Sequence, residues 1–327
     1  MDVTKYKDFA QQIMAKLMPY LEEKRPELTT HRSCIQFSPR NIAFIHLNKR
    51  EDDAIELLAA ETFQYDDIGN LPLILSSFVD AHHLAKVPLY WLLSFDDYQL
   101  SLLDAMPVPQ NELRDALTWR LKSLISYPIE EAVIDYFMVP AKKTAPEHPM
   151  IAAITAKKDL LNKYIEVIKK SGLSITTIDI PELALRNLSA VYENDEKSTA
   201  FIYFAGKFVI LNITCQKMLY FTRRIDLVAE KNENKYEKLS LEILRYFDYF
   251  QTQWRHTIPS RIFVASISDD ANQIAKSFSE YLLAPVETFS LKSLFPDEKI
   301  SHLIEQKFLL TFGSALKQEK QYVQTRS

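Results

Sequence analysis

Glycine is nearly missing from this sequence. Its 327 residues hold four, Gly69, Gly172, Gly206 and Gly313, where average usage of about 7% would give roughly 20. Nucleotide enzymes commonly hold phosphates on backbone N–H groups, and backbone comes that close mainly where no Cβ intervenes. So few glycines leave few places for such a cradle. Cysteine is equally scarce. Cys34 and Cys215 lie far apart and outside any CxxC or Cys/His spacing, so a reducing compartment is expected and a metal site is not. Long apolar runs are absent too. The densest, 71–79 and 88–95, fall well short of the ~20 residues of a membrane span. No apolar segment follows Asp2, Lys5, Lys7 and Asp8, which speaks against a signal peptide. The expectation is a cytoplasmic protein, peripheral to a membrane at most. An excess of positive charge is also lacking. The net charge of −4 argues against a general nucleic-acid binder. There is no GxSxG, P-loop, HExxH or EF-hand pattern.

What is present reads as a soluble chain of about two domains, 47% hydrophobic and 25% charged. Tyr6, Phe9, Ile13, Leu17 and Leu21 recur at helical spacing over 4–24, and Pro26 ends the run. This amphipathic helix either packs on its own domain or serves as a partner or membrane-surface foot; its mixed charges weaken the membrane version. Strands are expected at 34–37, 42–47 and 55–63, with a tight turn at Ser38-Pro39-Arg40-Asn41. A helix over 70–84 and an apolar strand at 88–95 follow. The same order returns later. Strands at 200–204, 208–214 and 218–225 precede a long helix over 236–256 and an apolar strand at 261–266, and helices near 270–283 and 299–318 close the chain. Gln36 and Tyr203 then hold equivalent places, which points to a duplicated α/β unit facing a cleft.

A different segment lies between the halves. Leu113, Ala116, Leu117, Leu121, Leu124 and Ile125 share one face of a helix expected over 111–126, stopped by Pro128. Strands at 131–139 and 150–156 flank a polar loop. A helix over 158–171 turns Leu161, Tyr164, Ile165 and Ile168 inward and ends at Gly172, a C-cap residue. A strand at 173–179 leads to Pro181 in the first turn of the next helix. The expected domains are a helical extension (1–30), a first unit (31–104 with 176–194), an inserted βα subdomain (105–175), a second unit (198–318) and a tail (319–327). The polar stretch 193–198 is the expected linker.

Isolated constellations have plain readings. His82-His83 is a surface pair rather than a metal site, because adjacent helical residues point apart. Asp179 and Glu182 flank a helix N-terminus, where carboxylates are stabilised, in preference to acting as an acid/base pair. Trp91 and Trp254 sit in apolar runs and belong in the core. Trp119 lies off the apolar face with Arg120 and Lys122 beside it, which suits either a partner groove or internal packing. Lys317, Lys320 and Arg326, interrupted by Glu319, form a solvated end.

Three stretches carry a family resemblance: Met106-Pro107-Val108-Pro109 with Glu112-Leu113, residues 125–136 around Tyr127-Pro128, and residues 178–188 around Pro181-Glu182-Leu183-Ala184. They resemble the actin-like pilus assembly proteins called PilM, most closely the MshI branch of mannose-sensitive haemagglutinin (MSHA) pilus biogenesis. The similarity covers about 33–318 and includes Thr222-Arg223-Arg224-Ile225 and Phe312-Gly313-Ser314-Ala315-Leu316. It implies an α/β, actin-like fold (actin/Hsp70/sugar-kinase type) of duplicated βββαβα domains, with the small subdomain inserted in the first half. It also implies ATP in the cleft between the halves. The implied partner is a PilN/MshJ-like bitopic inner-membrane pilus protein, whose N-terminal cytoplasmic tail docks beside the subdomain. Self-association and contact with the pilus assembly ATPase belong to the same implication. Leu113, Trp119, Arg120, Tyr127 and Pro128 are the residues expected at the docking site.

Against that pattern the phosphate positions are degenerate. ATPases of this kind need Asp-Xaa-Gly in the first hairpin, the carboxylate for the hydrated Mg²⁺ and the glycine for backbone approach. Gln36 and Ser38 stand there, Pro39 follows without an N–H, and Ala43 replaces a usually polar residue. In the second hairpin Tyr203 and Ala205 stand in the same two places, with Gly206 displaced by one. Ser266 and Ile267 replace the glycine pair on which adenosine packs. The segment between Ile225 and Tyr236 is short, where the family usually carries a further subdomain holding the base. The expectation is a pseudo-ATPase scaffold with no cofactor and no metal. The alternatives are an ATP/Mg-binding protein whose nucleotide state regulates pilus assembly or polymerisation, and a relative of the type II secretion platform; members of that group usually carry a membrane span after the actin-like part, and none follows here.

Overall fold

The computed structural model describes residues 30–49, 54–109, 111–142, 150–193, 197–227, 235–295 and 300–317. The expected helix at 4–24 and the tail lie outside them. Short, largely apolar runs separated by turns build two sheets of one plan. β1 (His31–Ser38), β2 (Asn41–Lys49) and β3 (Ile55–Gln64) form an antiparallel meander. β4 (Pro88–Leu92) and β8 (Ser174–Asp179) extend it in parallel, giving the order β3-β2-β1-β4-β8. In the second sheet, β9 (Thr199–Phe204), β10 (Phe208–Cys215) and β11 (Met218–Asp226) make the meander. β12 (Arg261–Ser266) and β13 (Val286–Thr288) follow in parallel, giving β11-β10-β9-β12-β13.

The registers repeat as well. Gln36 pairs with Ala43 and Leu92, and Tyr203 with Ile210 and Ala265. Each meander closes on its own first turn, through Tyr65 N to Arg40 O at 3.2 Å and Leu227 N to Lys207 O at 2.8 Å. The duplication and the equivalence of Gln36 with Tyr203 are therefore structural facts.

A third sheet, β5-β7-β6, comprises β5 (Tyr98–Asp104), β6 (Ala132–Val139) and β7 (Met150–Lys157), all antiparallel. α2 (Leu113–Leu121) covers it, burying Leu113, Leu117 and Leu121 with Leu103, Ile129, Ile151 and Ala153. β5 starts this sheet before residue 105, where the subdomain was expected to begin. α3 (Lys158–Lys170) packs on α1 (Leu71–Ala81) and β8 as well as on β7. Gly172, at φ +79, ends α3 in a Schellman motif: Leu173 N reaches Ile168 O and Gly172 N reaches Lys169 O.

Two helices join the halves. α4 (Pro181–Tyr192) leaves the first half and packs on β9, β10 and β11. α7 (His302–Ala315) leaves the second and packs on β1, β2 and β4. They cross where a Cβ on Gly313 would stand 2.4 Å from the Ala184 carbonyl oxygen. Asn187 Nδ2 donates to Gly313 O at 2.8 Å across the crossing. Around them lies one core drawn from both sheets, including Cys34, Ile45, Leu92, Phe201, Tyr203 and Ala265. α5 (Lys235–Trp254) and α6 (Ala271–Phe278) cover the outer face of the second sheet.

Several expected boundaries move. The helix expected over 111–126 ends at Leu121, and Leu124 is 45% exposed instead of facing inward; its carbonyl accepts from Gln99 Nε2 instead. Glu193 is no linker residue. It is buried, and its carboxylate takes the Thr214 hydroxyl and Lys217 N. That contact braces the Gln216-Lys217 turn, where both residues have positive φ, a two-residue hairpin form that ordinarily selects Asn-Gly. Trp91 and Trp254 are buried as expected. His82 is half-buried against Phe78, while His83 is exposed.

Candidate functional site

The candidate site is built on the first hairpin of each sheet. Strand alternation turns Gln36 to the same face as Cys34, and Tyr203 to the same face as Phe201, both towards the shared core. Gln36 is already engaged, its Nε2 donating to Leu93 O at 3.3 Å. Tyr65 Oη donates to Ser38 O at 2.8 Å. Ser94 Oγ donates to Phe37 O. Pro39 and Arg40 make the turn, with Arg40 at φ +65. Thus the groups lining the first turn bond one another.

The second hairpin is closed by aromatic packing. Tyr203 is 4% exposed, and burial pushes its hydroxyl well above the usual range. Phe95, just past β4, stacks on Tyr203 with centroids 6.4 Å apart and meets Phe208 edge-on at 5.0 Å. The Arg224 guanidinium lies 3.7 Å over the Phe208 ring. Ala205 N donates to Phe208 O at 2.9 Å. Gly206, at φ +86, serves the turn, and the Ile267 side chain comes within 3.2 Å of where its Cβ would be. Ile267 N is taken by Phe204 O, and Ser266 Oγ accepts from Ser268 N. Phe95 was not singled out from the sequence. Its partners lie in the other half, and no local pattern marks such a contact.

Near the second hairpin sits a carboxyl pair. Asp179 Oδ1 accepts from Ile180 N at 3.0 Å, while Oδ2 is buried with no hydrogen-bond partner among the described residues. Glu182 is buried in the first turn of α4, where the helix dipole should favour its charge. Burial wins instead and pushes its carboxyl up to about 7. Among the described residues, no group of three or more His, Cys, Asp or Glu side chains could hold a metal ion.

The second candidate region is the outer side of α2. Trp119 is 74% exposed. Lys122 Nζ stands 5.9 Å from its ring centroid, and Arg120 Nη1 donates to Asp104 O at 3.3 Å. Tyr127 is half-buried with Lys157 Nζ 5.3 Å from its ring centroid, and Pro128 is exposed. Leu113 is buried in the small core beneath the helix, so it supports this surface and does not form part of it.

No protein-family model matches this chain, and no curated protein matches it. Solved structures do. A chain of the PilM-PilN type IV pilus biogenesis complex aligns with a TM-score of 0.66 at 14% identity, over 87% of this chain and 97% of that one. A protein of actin-like ATPase fold and unknown function from Bacteroides thetaiotaomicron aligns with a TM-score of 0.50 at 8% identity, over 86% and 96%. The cytoplasmic domain of EpsL, an inner-membrane component of the Vibrio cholerae type II secretion system, reaches 0.49 at 13% identity, over 88% and 96%. The fold of this chain is actin-like. Among the described residues no helix is long and apolar enough to cross a membrane.

Proposed function

We propose that this protein is an actin-like scaffold of a type IV pilus assembly platform, of the MshI type, working in the cytoplasm at the inner membrane. It docks the N-terminal cytoplasmic tail of a PilN/MshJ-like bitopic protein and hydrolyses no ATP. The observation that carries the reading is the Phe95–Tyr203–Phe208 contact, an apolar wall where an actin-like ATPase would need a carboxylate and bare backbone. Gln36, Ser38, Tyr203, Ala205, Ser266 and Ile267 supply no carboxylate for a hydrated Mg²⁺. Pro39 offers no N–H, and Ile267 covers Gly206. These residues do not fit a Mg·nucleotide. The likeness in fold to the PilM-PilN complex supports the partner class.

Trp119 is the anchor of the docking surface. An exposed indole beside cationic side chains is the composition of an interface hot spot. A tryptophan presents up to about 250 Å², and burying the 74% that is open would contribute roughly 4 kcal/mol before ordering costs. Arg120, Tyr127 and Pro128 complete the surface. The test is fluorescence anisotropy with a labelled peptide of the PilN/MshJ-like tail. Saturable binding weakened ten-fold or more by Trp119→Ala is expected. No binding by the folded wild-type protein, or binding that Trp119→Ala leaves unchanged, overturns the proposal.

A further inference from the structure

One residue at the start of α4, by its carboxyl, its backbone carbonyl and its place in the chain, touches all three sheets. Glu182 is 6% exposed. Its Oε2 accepts a hydrogen bond from Tyr98 Oη, at the start of β5 in the inserted sheet. Its backbone carbonyl accepts from Asn212 Nδ2 on β10 of the second sheet, at 2.8 Å. Its helix follows directly from β8 of the first sheet. Here the chain passes from one half to the other.

The charged and titratable groups facing Glu182 are Tyr98 from β5, Asp179 from the end of β8 and Arg224 from β11. Arg224 has other partners. Its Nε donates to Asp226 Oδ1 at 3.2 Å, and its guanidinium covers Phe208. Asp226 is well exposed, so that ion pair is weak and easily given up. A buried carboxylate, by contrast, attracts a cation strongly, because charge without a partner is costly in the interior. That weak pairing leaves Arg224 available to the Glu182 carboxylate, whose charged form it already favours.

We propose that Glu182 is a proton-operated latch on the joint between the two halves and the inserted sheet. As the neutral acid it stays buried against Tyr98, and the joint is closed. As the carboxylate it draws Arg224 off Phe208 and admits water, and the joint loosens. Burial raises the carboxyl to about 7, which puts the change near neutrality. This latch does not depend on the docking role proposed above.

The test uses the full chain labelled for fluorescence energy transfer at Arg40→Cys and Lys207→Cys, exposed positions on the two hairpin turns. Cys34 and Cys215 are buried and stay unlabelled. Between about pH 6 and 8.5 the transfer efficiency should fall, with its midpoint near that of the Glu182 carboxyl. Glu182→Gln, a neutral isostere, should abolish the transition and hold the closed value. Tyr98→Phe removes a hydrogen bond that favours the charged form, so it should move the midpoint to higher pH. If Glu182→Gln fails to fold, Arg224→Gln replaces it and should also move the midpoint upward. A flat profile in the Glu182-containing protein overturns the latch. So does an unchanged transition in Glu182→Gln, or, where that variant does not fold, in Arg224→Gln.

Discussion

Gly313→Ala should weaken this protein, although the same change in most helices strengthens it. Helix propensity alone favours alanine by about 1 kcal/mol. Here the new Cβ would meet the Ala184 carbonyl oxygen at 2.4 Å, its carbon at 2.8 Å and Leu188 Cγ at 3.1 Å. Carbon contacts settle near 3.5 Å, so α4 and α7 must part by about 1 Å. Two of the three atoms are backbone and cannot swing aside. Overpacking of this kind costs typically 1–3 kcal/mol, and the upper end applies against a rigid neighbour. Parting the helices also weakens the Asn187–Gly313 hydrogen bond, a further loss of about 1 kcal/mol. The net expectation is destabilisation by roughly 2–3 kcal/mol, or a melting temperature lower by about 3–5 °C. Scanning calorimetry reads it directly. Gly69→Ala is the control, since the nearest atoms there lie 3.5 Å away, and it should change stability by no more than about 0.5 kcal/mol. A Gly313→Ala protein as stable as its parent would refute the close-crossing argument and loosen the account of how the halves are joined.

Other perturbations have equally definite signs. Lys217→Gly should stabilise by roughly 0.5–1 kcal/mol in urea unfolding, because it relieves a left-handed non-glycine residue at φ +61 and keeps the N–H that Glu193 holds. Glu193→Ala should cost about 2 kcal/mol by the same measurement, since it leaves Lys217 N without its acceptor and Thr214 Oγ1 with only the long bond to Thr199 O. Glu182 makes stability depend on pH. Its folded value, about 7, lies above the ordinary 4.5, so the folded state binds more protons between the two. Stability should therefore fall as pH rises through that window, by roughly 3 kcal/mol as a ceiling, and Glu182→Gln should flatten the slope. Trp119→Ala should leave the melting temperature within about 1 °C of its parent, because an exposed side chain supports little of the fold.

Much of this architecture is written locally. The repeated meander reads from short apolar runs separated by turns, α3 ends where Gly172 permits a left-handed residue, and α4 begins at Pro181. The equivalence of Gln36 and Tyr203 is also legible, and the matching registers bear it out. What escapes is long-range. β5 is missed although Tyr98, Leu100 and Leu102 alternate at strand period, and its identity comes from pairing with β7. Phe95 gains its meaning from Tyr203 and Phe208 in the other half. The Gln216-Lys217 turn tolerates two strained residues because Glu193, remote in sequence, holds it. Gly313 is visible as a glycine, but the need for it comes from a helix crossing that no helical pattern predicts. On α2 the structure leaves Trp119 exposed and buries Leu113 in the small core, because one apolar stripe can either cover a core or offer a face.

The proposed function requires an actin-like fold that has lost its phosphate cradle. Isothermal calorimetry of the purified full chain with Mg·ATP tests this most directly. The account predicts no saturable heat up to about millimolar nucleotide, a limit weaker than roughly −4 kcal/mol of binding. Saturable one-to-one binding in the micromolar range, lost when magnesium is withdrawn, would contradict it.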